Sequence, residues 1–115
     1  MTDHVLSIDT HAHSAGPTVL TVAGELDYHT GGQLREALEE TEFTKAGVVI
    51  DLTDLTYCDS TGITVLVTAY HRAKKADAPL ALAGLNPDLR RVFGIVGLDR
   101  VFAFHPTVEK AVSSM

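Results

Sequence analysis

Two periods of hydrophobic and polar residues alternate along the chain, and together they predict an α/β protein. Short apolar or alternating runs predict strands over residues 5–10, 18–23, 48–52, 80–83 and 101–104. The run over 48–52 is too short and too apolar for a surface helix, so we predict a central strand there, and an edge strand over 101–104. Longer stretches with helical spacing separate most of these runs.

Three of the helical stretches carry residues that typically begin helices. Thr30 and Gln33 form a T-x-x-Q capping box at the start of the first helix. Asp59 precedes the second helix, whose apolar stripe is predicted to face the core: Ile63, Leu66, Val67, Tyr70 and Ala73. Asn86 and Pro87 begin the third helix, whose predicted apolar face is Leu89, Val92, Phe93 and Val96. A last short helix is predicted over 106–112.

The alternation of strands and helices predicts a single α/β domain over residues 1–115. We expect a small mixed β-sheet of roughly four to five strands packed with about four helices. A chain of 115 residues fits one hydrophobic core, and 45% hydrophobic with 21% charged residues is typical of a folded protein rather than a disordered one.

The charge balance limits the kinds of partner, and the apolar runs, the N-terminus and the cysteine count bear on the location of the protein in the cell. The 9 basic and 15 acidic residues give a net charge of −6, which argues against a nucleic acid or an anionic membrane surface as the partner. No apolar run approaches the ~18 residues of a membrane span, and the N-terminus lacks the pattern of a signal peptide. The single Cys58 cannot form an internal disulfide. A cytoplasmic protein is therefore expected.

The stretch Asp59-Ser60-Thr61-Gly62 is the most informative candidate site. It lies between the predicted central strand and the second helix, at the sheet edge where ligands collect in α/β proteins. A helix N-terminus there favours anions such as phosphate. Ser60 is unsuited to be a hydrolase nucleophile, because no G-x-S-x-G elbow surrounds it and no histidine has a context that places a base beside it. No enzymatic activity is predicted.

Two interpretations of this stretch stay open on the residues alone: a helix cap and a phosphate acceptor. Polar residues commonly cap helices at this position. Phosphorylation needs only an accessible hydroxyl, and it would add about −1.5 to −2 charges at Ser60. Asp27, at the end of the segment Gly24-Glu25-Leu26-Asp27, is predicted to share this sheet edge. On the residues alone this segment is either a simple strand-to-helix loop or part of an acidic cluster that positions the hydroxyl or binds basic residues of a partner.

Other candidate sites lack a necessary residue. Asp51 ends the central strand, as the phosphate-accepting aspartate of receiver domains does, but the acidic pair and the lysine of that site are missing, so we predict a turn residue. His11 and His13 share one face of a strand without an evident third ligand, so no metal site is predicted. No G-x-x-x-x-G-K-[ST] loop occurs, and no cofactor is predicted.

Three stretches in this order resemble the STAS domain, specifically the stand-alone bacterial anti-sigma factor antagonists. They are Gly24-Glu25-Leu26-Asp27 before the helix Gln33-Leu34-Arg35-Glu36-Ala37-Leu38, the strand and loop from Val49-Ile50-Asp51-Leu52 to Asp59-Ser60-Thr61-Gly62, and the helical continuation Val65-Leu66-Val67. The order of elements matches along almost the whole chain.

The resemblance implies a partner-switching protein. In that family the serine matching Ser60 is phosphorylated by a partner that is both anti-sigma factor and ATP-dependent serine kinase. The unphosphorylated antagonist binds this kinase and releases the sigma factor, and a serine phosphatase resets the cycle. The implied partner-binding residues are Asp27, Asp59, Ser60, Thr61, Gly62 and Thr64. Thr64 stands where the family commonly has a glycine, and we expect it to narrow the partner range or to slow phosphorylation.

Two alternative functions are compatible with the same resemblance. One is a subunit of a larger stress-sensing STAS complex, although such subunits usually carry an additional sensor domain. The other is a small nucleotide- or anion-binding regulatory module that uses the same loop. Nucleotide titration without any protein partner would distinguish this second alternative from a switch.

Overall fold

The computed structural model describes residues 5–115, which form a six-stranded sheet and four α-helices. The strands are β1 (Leu6–Ala12), β2 (Thr18–Leu26), β3 (Val48–Asp51), β4 (Leu55–Cys58), β5 (Leu80–Ala83) and β6 (Ala103–His105). The helices are α1 (Gly31–Glu40), α2 (Ser60–Lys75), α3 (Pro87–Ile95) and α4 (Val108–Ser113), with a 3-10 turn over Leu98–Arg100. The predicted α/β class is confirmed, while residues 1–4 of the predicted domain lie outside the described part.

The sheet is mixed, and its order determines which loops meet. The strands follow the order β1-β2-β3-β5-β6, with β1 antiparallel to β2 and the remaining neighbours parallel. β4 pairs in parallel with the carboxyl end of β2, where Leu26 lies opposite Cys58. Because α1 follows β2 and α2 follows β4, the N-termini of these two helices lie at the same edge of the sheet.

Helices cover both faces of the sheet, but to different extents. The larger core lies under α1, α2 and α3, where Leu34, Leu66 and Phe93 are fully buried together with strand residues such as Leu20 and Ile50. The short α4 covers a smaller cluster on the other face, comprising Val19, Val49, Ala81, Ala83 and Ala111. Alternate residues of one strand thus enter different cores. None of the helices within residues 5–115 combines the length and hydropathy of a membrane span.

The buried face of α2 is rotated relative to the predicted stripe. Its buried residues are Gly62, Val65, Leu66, Ala69 and Ala73. Ile63, Val67 and Tyr70, which were predicted to face the core directly, are only partly buried against it. Three of the buried positions carry glycine or alanine, which lets the helix lie close to the sheet. A prediction from the spacing of large apolar residues misses such positions, because glycine and alanine add little to the hydrophobic pattern.

The predicted apolar face of α3 is only half buried. Leu89 and Phe93 are buried as predicted. Val92 and Val96 are 36% and 53% exposed, so the prediction that they face the core was wrong. A helix of 9 residues packed on one side of a sheet buries a narrow stripe, and apolar residues on its flank stay at the surface.

The largest parts of the sheet that were not predicted are β4 and the last three residues of β2. Only Leu55 and Cys58 of β4 are buried, so this strand shows neither alternation nor a continuous apolar run. It is a strand because the far end of β2 offers backbone groups for it to pair with. The predicted sheet of four to five strands therefore has a sixth, and this strand leads directly to Ser60.

The capping box predicted at Thr30 and Gln33 is not formed. Thr30 occupies the N-cap position of α1, but its side chain makes no capping bond to the helix. Instead, its hydroxyl donates to the carbonyl of Glu25 at 2.7 Å and accepts from the N–H of Asp27 at 2.9 Å. The hydroxyl closes the loop between β2 and α1, which competes with capping because both need the same oxygen.

Candidate functional site

Ser60 is the first residue of α2 and follows β4 at the carboxyl edge of the sheet. Its side chain is exposed. The residue that caps the helix is Asp59, so the hydroxyl of Ser60 is not needed for capping. A group attached to this hydroxyl would lie at the positive end of the dipole of a 16-residue helix.

Asp59 uses both carboxylate oxygens to join two loops. Its Oδ1 accepts a hydrogen bond from the N–H of Gly62 at 3.1 Å, within the first turn of α2. Its Oδ2 accepts one from the N–H of Tyr28 at 3.0 Å, in the β2–α1 loop. The N–H of Asp59 in turn donates to the carbonyl of Leu26 at 3.1 Å. The residue before Ser60 is therefore held on both sides, which fixes the position of the hydroxyl.

Gly62 lets α2 approach the end of β2 more closely than a larger residue would. A Cβ atom at this position would lie 2.7 Å from Cγ of Leu26 and 2.8 Å from Sγ of Cys58. Leu26 is fully buried and Cys58 is 8% exposed, so neither side chain has free space to move into. The glycine thus determines how deep the first turn of α2, and with it Ser60, sits on the sheet.

Asp27 lies at the predicted sheet edge, but it is only 3% exposed. Its Oδ1 accepts hydrogen bonds from the N–H groups of His29 and Thr30, at 2.9 and 3.1 Å. These bonds shape the loop that carries Tyr28, and this loop is bonded to Asp59. Asp27 is thereby coupled to the site through the backbone of its own loop.

Thr61 and Thr64 flank Ser60 on α2 in different environments. Thr61 is partly buried, and its Cγ2 would lie 3.1 Å from a Cβ placed on Gly31, at the first turn of α1. Thr64 is exposed, and its hydroxyl donates to the carbonyl of Ser60 at 2.9 Å. Because residues four apart are neighbours on a helix surface, a molecule that covers Ser60 also meets the side chain of Thr64.

Two tyrosines for which no role was predicted lie beside the site. Tyr28 is 78% exposed and Tyr57 is 50% exposed. They share an open depression of about 270 Å³ with acidic residues, and its lining is Glu25, Asp27, Tyr28, His29, Tyr57 and Asp59. Tyrosine is enriched at protein interfaces. Their position next to the two acidic motifs is the signal by which the sequence could have indicated them.

Cys58 ends β4 and lies beneath the site. Burial, together with the smaller effect of the negative charge of Asp59, raises the pKa of its thiol to about 12. The thiolate is the reactive form of cysteine, so the folded protein holds this side chain as an unreactive apolar group. Its structural role is the close packing against Gly62.

We expect Cys58 to resist a thiol reagent such as DTNB at pH 8 in the folded protein and to react fully in guanidinium chloride.

The raised pKa of the Cys58 thiol also predicts how the free energy of unfolding depends on pH. The thiol is neutral in both states below the ordinary pKa of 9.0, so its full contribution to folding is present there. As the pH rises from about 9 towards about 12 the unfolded chain ionises first, and this contribution is lost. If the thiol reagent labelled Cys58 as fast in the native protein as in the unfolded protein, the assignment of Cys58 as a buried, unreactive thiol would be contradicted.

The remaining sequence candidates have other roles in the structure. Asp51 is the last residue of β3 rather than a turn residue, and its Oδ1 accepts from the N–H of Thr53 in the following turn at 3.1 Å. Nε2 of His13 lies 2.9 Å from Oε2 of Glu109 on α4, and His11 is an exposed residue of β1. Within residues 5–115, no group of three or more histidine, cysteine or acidic side chains could hold a metal ion.

The fold is shared with solved structures of known class. An anti-sigma factor antagonist from Mycobacterium paratuberculosis superposes with a TM-score of 0.85 at 24% identity, covering 98% of this chain and 96% of the other. The Bacillus cell fate determinant SpoIIAA in its phosphorylated form superposes with a TM-score of 0.69 at 20% identity, covering 94% and 98%. At these identities the likeness concerns the fold.

The sequence itself has close relatives. The anti-sigma-B factor antagonist of Listeria monocytogenes is 38% identical over 98 residues, which are 84% of this chain and 85% of the relative. The anti-sigma-B factor antagonist of Bacillus subtilis is 38% identical over 79 residues, 69% of this chain and 72% of the relative. The family model of the STAS domain matches residues 8–111. The chain therefore belongs to the STAS domain family, as its relatives named anti-sigma-B factor antagonists also indicate.

Proposed function

We propose that this protein is an anti-sigma factor antagonist controlled by phosphorylation of Ser60. In its unphosphorylated form it binds an anti-sigma factor that is also a serine kinase, and a sigma factor is thereby released. Phosphorylation of Ser60 by this kinase ends the binding, and a serine phosphatase restores it. The observation that carries the proposal is the exposed hydroxyl of Ser60 on a helix that Asp59 already caps.

The surroundings of Ser60 suit a modification that changes binding without changing the fold. The helix dipole of α2 favours negative charge at its N-terminus, so the phosphoprotein is expected to stay folded. A partner surface fitted to the neutral hydroxyl would instead face a phosphate of about −1.5 to −2 charges. This anion would lie next to the carboxylate of Asp59, which adds to the negative potential there.

The proposed partner-binding residues contribute in two ways. Ser60, Thr61 and Thr64 present their side chains on the first turns of α2, while Gly62 and Asp59 fix the position of these turns. Asp27 acts through the loop that it shapes. Thr64 adds a side chain where the family commonly has a glycine, and this bulk restricts which partner surface can cover Ser60.

The protein then acts as a binding partner rather than as an enzyme, since the kinase and the phosphatase carry out the chemistry of the switch. Its relatives are named as antagonists, which supports this assignment. We place its action in the cytoplasm, because sigma factors act there on RNA polymerase, and we take residues 1–115 as one STAS domain.

Intact-mass measurement after incubation with each purified anti-sigma factor kinase of the source organism and ATP tests the proposal. We expect one kinase to add a single phosphate to the wild-type protein and none to a Ser60→Ala variant, because within residues 5–115 no other exposed hydroxyl residue occupies the first position of an α-helix. Addition of phosphate to the Ser60→Ala variant, or modification by none of these kinases, would refute the proposed switch.

We also expect the same kinase to phosphorylate Thr64→Gly faster than the wild-type protein, because the side chain of Thr64 restricts which partner surface can cover Ser60.

A further inference from the structure

The outer side of β1 is the longest unpaired edge of the sheet. β1 has 7 residues in an unbroken antiparallel register with β2, whereas β6 at the other end of the sheet has 3 residues. Within residues 5–115, no strand pairs with the outer side of β1. Edge strands are commonly protected by lysine, proline or a β-bulge, and β1 has none of these. Its unpaired backbone groups are therefore available to a further strand.

The hydrogen bonds with β2 determine which residues of β1 turn their backbone groups outward. The N–H of Glu25 donates to the carbonyl of Val5 at 2.9 Å, and the N–H of His13 donates to the carbonyl of Pro17 at 2.8 Å. Inward-facing residues recur at every second position of an antiparallel strand, so the odd-numbered residues of β1 bond to β2. The residues with outward-facing N–H and carbonyl groups are Leu6, Ile8, Thr10 and Ala12.

The side chains of β1 alternate between the two faces of the sheet. Leu6 and Ile8 pack on the larger core, on the face that carries α1. Asp9 and His11 point to the opposite face, which α4 covers only further along the sheet, and both are exposed. Thr10 is exposed as well. A strand added at this edge would meet Asp9 and His11 on one face and Thr10 on the other.

The helix next to this edge leaves space beside Thr10. An open groove of about 490 Å³ lies between β1 and α1, and Thr10, Glu36 and Glu40 are among the residues that line it. The two glutamates therefore lie on the other face of the sheet from Asp9 and His11. An added strand would have room at Thr10, and the sheet would separate the charges of α1 from those of β1.

A second copy of this chain fits the edge when two β1 strands pair antiparallel about a two-fold axis through Thr10. Ile8 then lies opposite the partner's Ala12, and the outward groups of the two strands exchange about six backbone hydrogen bonds. Asp9 lies opposite the partner's His11 in a non-hydrogen-bonded pair, where side chains approach most closely. Symmetry repeats this pair on the other side of the axis. The imidazole N–H donates to the carboxylate, and a protonated imidazole adds an opposite charge.

The charges of β1 distinguish this register from its neighbours. An axis through Asp9 would pair all 7 residues of both strands, but it would place Asp9 directly opposite the partner's Asp9. An axis through His11 would place two imidazoles opposite each other, and Asp9 opposite His13, whose Nε2 already lies 2.9 Å from Oε2 of Glu109. Of these three axes, the one through Thr10 alone matches each carboxylate with an imidazole across the axis.

We propose that two copies of this protein pair through β1, in a symmetric dimer whose sheet continues across the two-fold axis at Thr10. β4, which leads to Ser60, pairs with the other side of β2 from β1, so the dimer leaves Ser60 of both copies uncovered. The dimer therefore goes beyond the proposed switch and does not depend on it. Pairing over residues 8–12 makes a small interface, so we expect a weak dimer that forms at micromolar to millimolar concentrations.

Sedimentation equilibrium of the wild-type protein and two charge variants, up to about 1 mM, tests the dimer and its register. We expect wild-type protein to dimerise reversibly. His11→Asp places carboxylates opposite each other in both pairs, so it should weaken dimerisation by about tenfold or more. The double variant Asp9→Lys, His11→Asp places lysine opposite aspartate and should restore dimerisation. Both positions are exposed, so the melting temperatures of the monomers should stay close to that of wild type.

A backbone variant tests whether the outer edge of β1 is the surface that pairs. Thr10→Pro removes an N–H that faces outward, so it should abolish dimerisation while the bonds between β1 and β2 remain. Thr10→Val is the matched control, because it keeps this N–H, and it should dimerise like wild type. The melting temperature checks that Thr10→Pro is folded, and its phosphorylation on Ser60 is measured separately.

Three results would overturn the inference. The first is wild-type protein that remains monomeric up to about 1 mM. The second is a dimer that persists in folded Thr10→Pro, because the two copies would then meet through another surface. The third is a double variant that dimerises no better than His11→Asp, because Asp9 and His11 would then not lie opposite each other. None of these results bears on the proposed phosphorylation of Ser60.

Discussion

Replacing Ser60 with aspartate is expected to weaken binding to the anti-sigma factor by at least about tenfold while leaving the fold intact, since like charges brought together at an interface cost several kcal/mol. Aspartate carries about half the charge of a phosphate, so the phosphorylated protein should bind more weakly still. If the phosphate costs ~3 kcal/mol at the interface, the affinity of the phosphorylated protein for the anti-sigma factor is roughly 150-fold lower than that of the unphosphorylated protein. Isothermal titration calorimetry of the three forms with the same kinase, in the absence of ATP, measures both effects.

Two control variants show whether the weaker binding of Ser60→Asp is caused by the new charge at this position. One tests the effect of losing the hydroxyl, and the other tests the effect of adding a negative charge elsewhere on the protein. Ser60→Ala removes the hydroxyl without adding a charge, so it should bind within a few-fold of wild type and should also resist phosphorylation. Ser14→Asp adds the same charge to the exposed turn between β1 and β2, at the opposite edge of the sheet from Ser60. It should bind like wild type. Equal affinity of Ser60→Asp and wild type would rule out the switch.

Replacing Gly62 with alanine is expected to destabilise the protein, although helix propensity alone predicts the opposite. Alanine is favoured over glycine in a helix by ~1 kcal/mol. The added methyl, however, would lie 2.7 Å from Cγ of Leu26 and 2.8 Å from Sγ of Cys58, in a part of the core without free space. Overpacking of this kind costs about 1–3 kcal/mol, so after the gain in helix propensity we expect a net loss of up to about 2 kcal/mol in the free energy of unfolding.

Gly32→Ala is the matched control for this substitution. Gly32 lies in the first turn of α1, and a Cβ placed there would meet no heavy atom within 4 Å. Its substitution should leave stability unchanged or raise it by up to ~1 kcal/mol. Urea denaturation of both variants gives the comparison. A Gly62→Ala protein as stable as Gly32→Ala would show that α2 does not need its close approach to β2.

Gly62→Ala should also affect the switch, because Gly62 donates the capping bond to Asp59. A first turn of α2 pushed away from β2 would carry Ser60 with it, and the bond between Asp59 and Tyr28 joins the β2–α1 loop to the same segment. We therefore expect a lower rate of Ser60 phosphorylation in Gly62→Ala than in Gly32→Ala under conditions where both proteins are folded.

Most elements of the fold follow from local patterns in the chain. The apolar run over Val48–Asp51 is a strand, and Asn86 with Pro87 begins α3, because a short apolar run and a cap followed by proline each have one favoured local conformation. The loop Asp59-Ser60-Thr61-Gly62 could be singled out for the same reason, since a polar N-cap before an apolar helical pattern marks a strand-to-helix junction.

Other features depended on groups distant in sequence. The hydroxyl of Thr30 bonds the β2–α1 loop instead of capping α1, and β4 exists because β2 supplies the backbone groups that it pairs with. Asp27 was expected to position the hydroxyl of Ser60 or to bind basic residues of a partner, yet it is buried and accepts bonds from its own loop. Hydrogen bonds compete for the same donors and acceptors, and which pairing prevails depends on the whole fold.

The amino-acid sequence alone determined the class of fold, the family resemblance and the position of Ser60 at a helix start, because these rest on residues that are neighbours along the chain. Only the tertiary structure decided that Asp59 rather than Ser60 caps α2, that Leu26 and Cys58 leave room for nothing larger than Gly62, and that Ile95 stays exposed. The physical reason is that exposure and close packing are set by side chains that meet across the sheet, and periodicity along one segment does not record which side chains those are.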